Sequence, residues 1–162
     1  MNNERELEVA VQLIYTLTKE YVDNRTNYIT YLFNYAHRDA VCLNLNNPPL
    51  VSENAYELFY ELTDGKDIRD SSWQFVGRFK ELGKRLFTWE HFTPAKIFKQ
   101  NLINAYKGKL LTTELIKDLI LEQKGCWITK REDEELSRLG YRTNRPNPHE
   151  AYVKAGIKIK LS

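Results

Sequence analysis

Residues 4 to 22 read ERELEVAVQLIYTLTKEYV, and within them the apolar positions Leu7, Ala10, Ile14, Leu17 and Tyr21 recur at steps of three and four. An α-helix turns once in about 3.6 residues, so this spacing lays them along one side while Arg5, Glu8, Gln12, Lys19 and Glu20 take the others. The stretch is an amphipathic helix, and the same reading carried outward makes the fold mostly α. Asn27 to His37 repeats the pattern with Tyr28, Ile29, Leu32, Phe33 and Ala36. Val41 to Leu45 reads as a short strand or as the end of that helix, and Asn46 to Pro49 as a loop. Ser52 is placed to cap a helix carrying Ala55, Leu58, Phe59 and Leu62 that stops at Gly65. Asp70 or Ser71 is placed to cap a helix running from Trp73 to Leu86, with Gly83 tolerated inside it.

Thr93-Pro94 opens a further helix, with Thr93 as cap and Pro94 in the first helical position, and Gly108 closes it. Thr112 opens the next, which is expected to bury Leu115, Leu119 and Ile120 and to stop at Gly125. Cys126-Trp127-Ile128 is short and extended. Thr129-Lys130-Arg131-Glu132 then fits a capping box, in which Thr and Glu satisfy each other's backbone N–H groups, with Leu136 and Leu139 facing inward. A helical turn around His149 to Lys154 and an edge strand of Ile157, Ile159 and Leu161 alternating with Lys158 and Lys160 end the chain. The expectation is a single compact helical domain over residues 1–162 with one or two short strand pairings.

Composition supports a globular chain. Of 162 residues 42% are hydrophobic, 28% charged and 12% aromatic, which excludes a disordered tail, a collagen or a coiled-coil rod. No run approaches the roughly 18 to 20 apolar residues of a membrane helix. The acidic N-terminus lacks the basic region of a signal peptide, so a cytoplasmic location is expected. Cys42 and Cys126 stand far apart without a CxxC pair, which indicates two buried thiols rather than a disulfide framework or a zinc site. The net charge of +2 hides a division: residues 1–65 carry 4 Lys or Arg against 10 Asp or Glu, whereas 66–162 carry 20 against 12. An acidic part and a basic module either present opposite potentials to a partner or pair with each other.

Three groups of residues point to chemistry. Glu90 and His91 directly precede a helix start, where free N–H groups and the dipole favour anions and keep an imidazole neutral. They are therefore candidates for catalysis, His91 as base or metal ligand and Glu90 as a ligand to a divalent metal, or else features that complement a helix terminus. Arg138, Arg142, Arg145 and Lys154, interleaved with Tyr141, His149 and Tyr152, form a candidate surface for nucleic acid or phosphate, the alternative being that the arginines pair with Glu132 to Glu135. Tyr28, Tyr31, Tyr35, Tyr56 and Tyr60 lie among acidic residues and are candidates for a partner face, since Tyr is an anchor residue of interfaces. Asp118 with Glu122-Gln123-Lys124 superficially matches a metal-dependent nuclease set, but carboxylates four apart on a helix fit a solvated face better.

Glu90-His91-Phe92-Thr93-Pro94 resembles the acidic-His-x-x-Pro start of HNH nucleases, a resemblance confined to five residues that implies a general-base role for His91. In that family a β-hairpin precedes the motif, whereas a helix is expected before it here. From Glu90 to Ile157 the order Glu-His-x-x-Pro, Ile128-Thr129-x-x-Glu132 and Ala155-Gly156-Ile157 is similar to a group of small uncharacterised bacterial proteins, which implies that residues 90 to 157 behave as one module. These features lead to a binding or accessory protein acting on nucleic acid or on a nucleic-acid-handling protein. The alternatives are a metal-dependent, nuclease-like hydrolase using Glu90 and His91, and an immunity or antitoxin-like inhibitor whose acidic face covers a basic enzyme.

Overall fold

The computed structural model describes residues 2–42 and 49–161, with side chains for 4–36 and 49–161. Helices dominate the described residues: α1 (Asn2–Asp23), α2 (Asn27–Cys42), β1 (Leu50–Val51), α3 (Glu53–Leu62), α4 (Trp73–Val76), β2 (Lys80–Glu81), β3 (Lys84–Arg85), β4 (Phe87–His91), α5 (Ala95–Lys107), α6 (Thr113–Leu121), β5 (Gly125–Thr129), α7 (Lys130–Arg138) and α8 (Pro148–Lys154), with one 3-10 turn at Ile68–Asp70. The mostly α reading holds. The elements gather into two units that alternate along the chain, the first from Met1–Asn47 and Thr93–Lys124, the second from Pro48–Phe92 and Gly125–Ser162. The stretch 90–157 is therefore shared between units, and the charge boundary at 65/66 falls inside the second.

In the first unit α1 presents Leu7, Val11, Ile14 and Leu17 to Phe33 of α2, Phe98 and Leu102 of α5, and Ile116 and Ile120 of α6. Each fully buried aliphatic or aromatic side chain contributes about 1.5–3 kcal/mol, so this apolar stripe rather than helix propensity holds the four helices together. Polar ties sit outside it: the Tyr106 hydroxyl donates to Asp23 at 2.5 Å and Lys99 Nζ donates to Asn34 at 2.7 Å.

The second unit is built on β5, all five of whose residues are buried. β1 pairs with it in parallel and β4 antiparallel, in the order β1-β5-β4. Alternation along the strands sends Phe87, Trp89 and Trp127 to one face, with Val51, Phe59, Ile68 and Val76, and Cys126 and Ile128 to the other, with Phe92, Leu136, Tyr152 and Ile157. Gly125 must lack a side chain, because a Cβ there would overlap the indole of Trp89.

Several local expectations are corrected. The helix expected from Trp73 to Leu86 stops at Val76, is capped by Ser72 rather than Asp70 or Ser71, and gives way to the β2–β3 hairpin and then to β4. Leu82 and Gly83 both have positive φ, 50° and 77°, which a helix forbids and a two-residue hairpin turn requires. Pro94 caps α5 and no side chain bonds there, because its extended ψ of 135° starts the helix one residue later than Thr93-Pro94 implied. α6 ends at Leu121 and buries Ile116 with Ile120, while Gly125 is the first residue of β5. The C-terminal edge strand shrinks to one bridge between Ser52 and Ile159, flanked by hydrogen bonds from Glu53 N to Lys158 O and from Lys160 N to Val51 O. α2 extends to Cys42, whose side chain, like residues 43–48, lies outside the described residues.

Candidate functional site

Glu90 is fixed by its register on β4, opposite Cys126 of β5, so its side chain enters the face packed by Tyr152 of α8. Arg145, in the loop between α7 and α8, reaches it from 55 residues away. One guanidinium nitrogen, Nη2, donates both to the Glu90 carboxylate and to the His91 carbonyl oxygen, the latter at 2.9 Å. Arg145 is fully buried, the Glu90 side chain is 16% exposed, and the guanidinium carbon stands 5.6 Å from the centre of the Tyr152 ring. Nε and Nη1 of Arg145 have no hydrogen-bond partner among the described residues.

This environment shifts three groups. Burial pushes the Glu90 carboxyl above its ordinary range, a shift that the Arg145 hydrogen bond and charge oppose, and Asp133 and Arg142 act on it more weakly. Burial pushes the Cys126 thiol up to about 12, which leaves it protonated and unreactive. The Tyr152 hydroxyl is likewise raised by burial; it lies near Cys126 without a hydrogen bond of good geometry. The arrangement excludes solvent and engages the Glu90 carboxylate, which makes it an internal clamp joining β4 to the α7–α8 loop. Among the described residues no group of three or more His, Cys, Asp or Glu is arranged to hold a metal ion.

The other predicted site residues are dispersed. Arg138 pairs with Glu135 at 2.5 Å and Lys154 with Glu150 at 2.6 Å, each within its own helix. Arg142 is exposed and His149 sets its ring edge-on against Phe92. With Arg145 in the interior, the four cations do not share one exposed face. The tyrosines fall into two sets. Tyr28, Tyr31 and Tyr35 follow a three-and-four step along α2 and are 68%, 54% and 42% exposed, with the Tyr31 and Tyr35 rings 4.4 Å apart. Tyr56 and Tyr60 stack on α3 in the second unit, where Lys160 lies 4.1 Å from the Tyr56 ring centre.

A second polar centre was not foreseen beyond its local part. The capping box at Thr129 and Glu132 forms, and the Glu132 carboxylate also accepts from Ser52 Oγ at 2.7 Å and Asn54 Nδ2 at 3.0 Å. One buried carboxylate thus serves the N-termini of α7 and α3 together. It floors an open groove of ≈ 1090 Å³ between α3, α7 and the β2–β3 hairpin. Neither Arg145 with Glu90 nor Glu132 with Ser52 leaves a sequence signal, because the partners stand 55 and 80 positions apart and only the tertiary fold brings them together. A comparison of the chain with protein-family models, curated proteins and solved structures finds no match.

Proposed function

We propose that the chain is a binding module and that the tyrosine stripe of α2 is its grip on a protein partner. The supporting observation is the exposure of Tyr28, Tyr31 and Tyr35 along one side of a helix whose other side carries the buried Phe33. Tyr rings bring large contact area at low entropic cost, and a few such anchors dominate interface energetics. A helix face read at i, i+3 and i+7 suits a groove or a second helix.

The test places the photo-cross-linker benzoylphenylalanine at Tyr31 and, as a control, at exposed Lys117 of α6. A protein cross-linked from position 31 and not from 117, and bound about 30-fold more weakly by Tyr28→Ala/Tyr31→Ala/Tyr35→Ala, supports the reading. Equal capture at both positions, or none at either, overturns it.

A further inference from the structure

The β2–β3 hairpin combines three features that oppose its own folding. Its tip residue Leu82 has φ of 50° at a turn position that favours Asn, Asp or Gly. That leucine is 98% exposed, so no burial repays its conformation. Lys80 stands directly opposite Arg85, a like-charge cross-strand pair that destabilises a ribbon, whereas the pair nearer the tip, Glu81 opposite Lys84, is of opposite charge. Lys80, Lys84 and Arg85 are exposed and none has an ion-pair partner among the described residues. With Arg78 they give this eight-residue stretch four cations against one acid, Glu81. A sequence that keeps an uncovered apolar tip on a net-cationic stem is suited to a ligand that supplies anions along its flanks and an apolar interior between them.

We propose that the hairpin docks tip-first on duplex DNA, with Lys80, Lys84, Arg85 and Arg78 reaching backbone phosphates and Leu82 entering between base steps in the minor groove. Apolar wedges carried on cationic elements act in this way on B-form DNA, whose minor groove is about 6 Å wide and admits a side chain but not the two-stranded ribbon. An anionic membrane offers phosphates too, but one leucine beside four cations gives only marginal attachment there, since stable anchoring needs more apolar area. Leu82, Lys84 and Arg85 border, on the hairpin's inner side, a groove that Glu57, Glu61 and Glu134 also line, so a polyanion is expected to approach from the tip and the outer side. The contact is therefore small, sequence-tolerant and salt-dependent. This inference stands apart from the tyrosine stripe, and either can fail alone.

The experiment is fluorescence anisotropy of a labelled 16-base-pair duplex titrated with the full chain at about 50 mM salt. Binding is expected in the micromolar range, with log K falling against log salt at a slope near −3, as for about three or four phosphates. Leu82→Asn suits the turn and is expected to fold at least as stably as the parent while binding about 10-fold more weakly. Lys80→Glu/Arg85→Glu, whose thermal unfolding is recorded alongside, should bind more than 10-fold more weakly, Glu81→Gln more tightly, and Lys117→Glu unchanged. No binding at 100 µM protein, undiminished binding by Leu82→Asn, equal loss in Lys117→Glu, or attachment to phosphatidylserine vesicles without attachment to DNA would each overturn the assignment.

Discussion

Arg145 shows how one residue can reverse its sequence reading. It sits among Arg142, Tyr141 and Lys154 in a cationic, aromatic stretch, and a surface role follows from that composition. Tertiary pairing with Glu90 instead takes it inside, and a guanidinium cannot shed its proton to escape the penalty. Arg145→Met is therefore expected to destabilise the fold by about 3–5 kcal/mol in urea unfolding, because it strands a buried carboxylate. Glu90→Gln keeps an oxygen for Nη2 and should have the smaller effect. The two also separate in pH. Because burial raises the Glu90 carboxyl above its unfolded value, the folded state holds that proton more tightly, and its contribution is present below about pH 4.5 and lost as pH climbs through the folded value. Stability curves of the parent and Glu90→Gln should diverge across that window; parallel curves would show that Glu90 does not titrate abnormally. Cys126 makes a simpler case: with its thiol raised to about 12, peptide mapping after iodoacetamide at pH 8 should find it unmodified in the folded chain and modified in denaturant.

At the scale of elements, what was legible was what neighbours in sequence decide. The Ser52, Thr112 and Thr129 caps all form, each bonding the backbone N–H three residues on, because capping is settled within one turn. The error at residues 73–86 has the opposite cause. Trp73, Val76, Phe79, Leu82 and Leu86 satisfy a helical period, yet Phe79 and Phe87 are drawn edge-to-face onto Phe59 of α3 and Leu82 is left at a turn. Periodicity alone does not distinguish these outcomes when aromatic residues suit both a helix face and a strand. Glu132 lies between the two cases, since its role on α7 is local and its reach to α3 is not. Glu132→Ala is expected to lower stability by about 3 kcal/mol, more than loss of one cap, because Ser52, Asn54 and Thr129 are all left without their acceptor. A loss near 1 kcal/mol would mean that only the α7 cap matters.

For the molecule as a whole, helical spacing made the mostly α class legible but not how the chain is shared out. Apolar complementarity assigns residues 93–124 to the unit of α1 and α2, and residues 125–162 to the unit of the strands that precede them. All three tryptophans fall in the second unit, where Trp73, Trp89 and Trp127 lie within 6 Å of one another, ring centre to ring centre. Tryptophan emission should therefore report that unit alone, and Gly125→Ala, which forces the Trp89 indole aside, should shift the spectrum and lower the midpoint of its transition by an amount corresponding to about 1–3 kcal/mol. An unchanged spectrum would place the Trp89 ring elsewhere.

The alternation of units also sets a timetable for synthesis. Helices α1 and α2 leave the ribosome long before α5 and α6 can cover their apolar side, and β1 waits some 75 residues for the strand that flanks it. A chain stopped anywhere before Gly125 carries one unfinished core or two. The nascent chain is thus expected to expose unpartnered apolar surface through most of its translation, and premature termination should yield insoluble fragments rather than a smaller folded module.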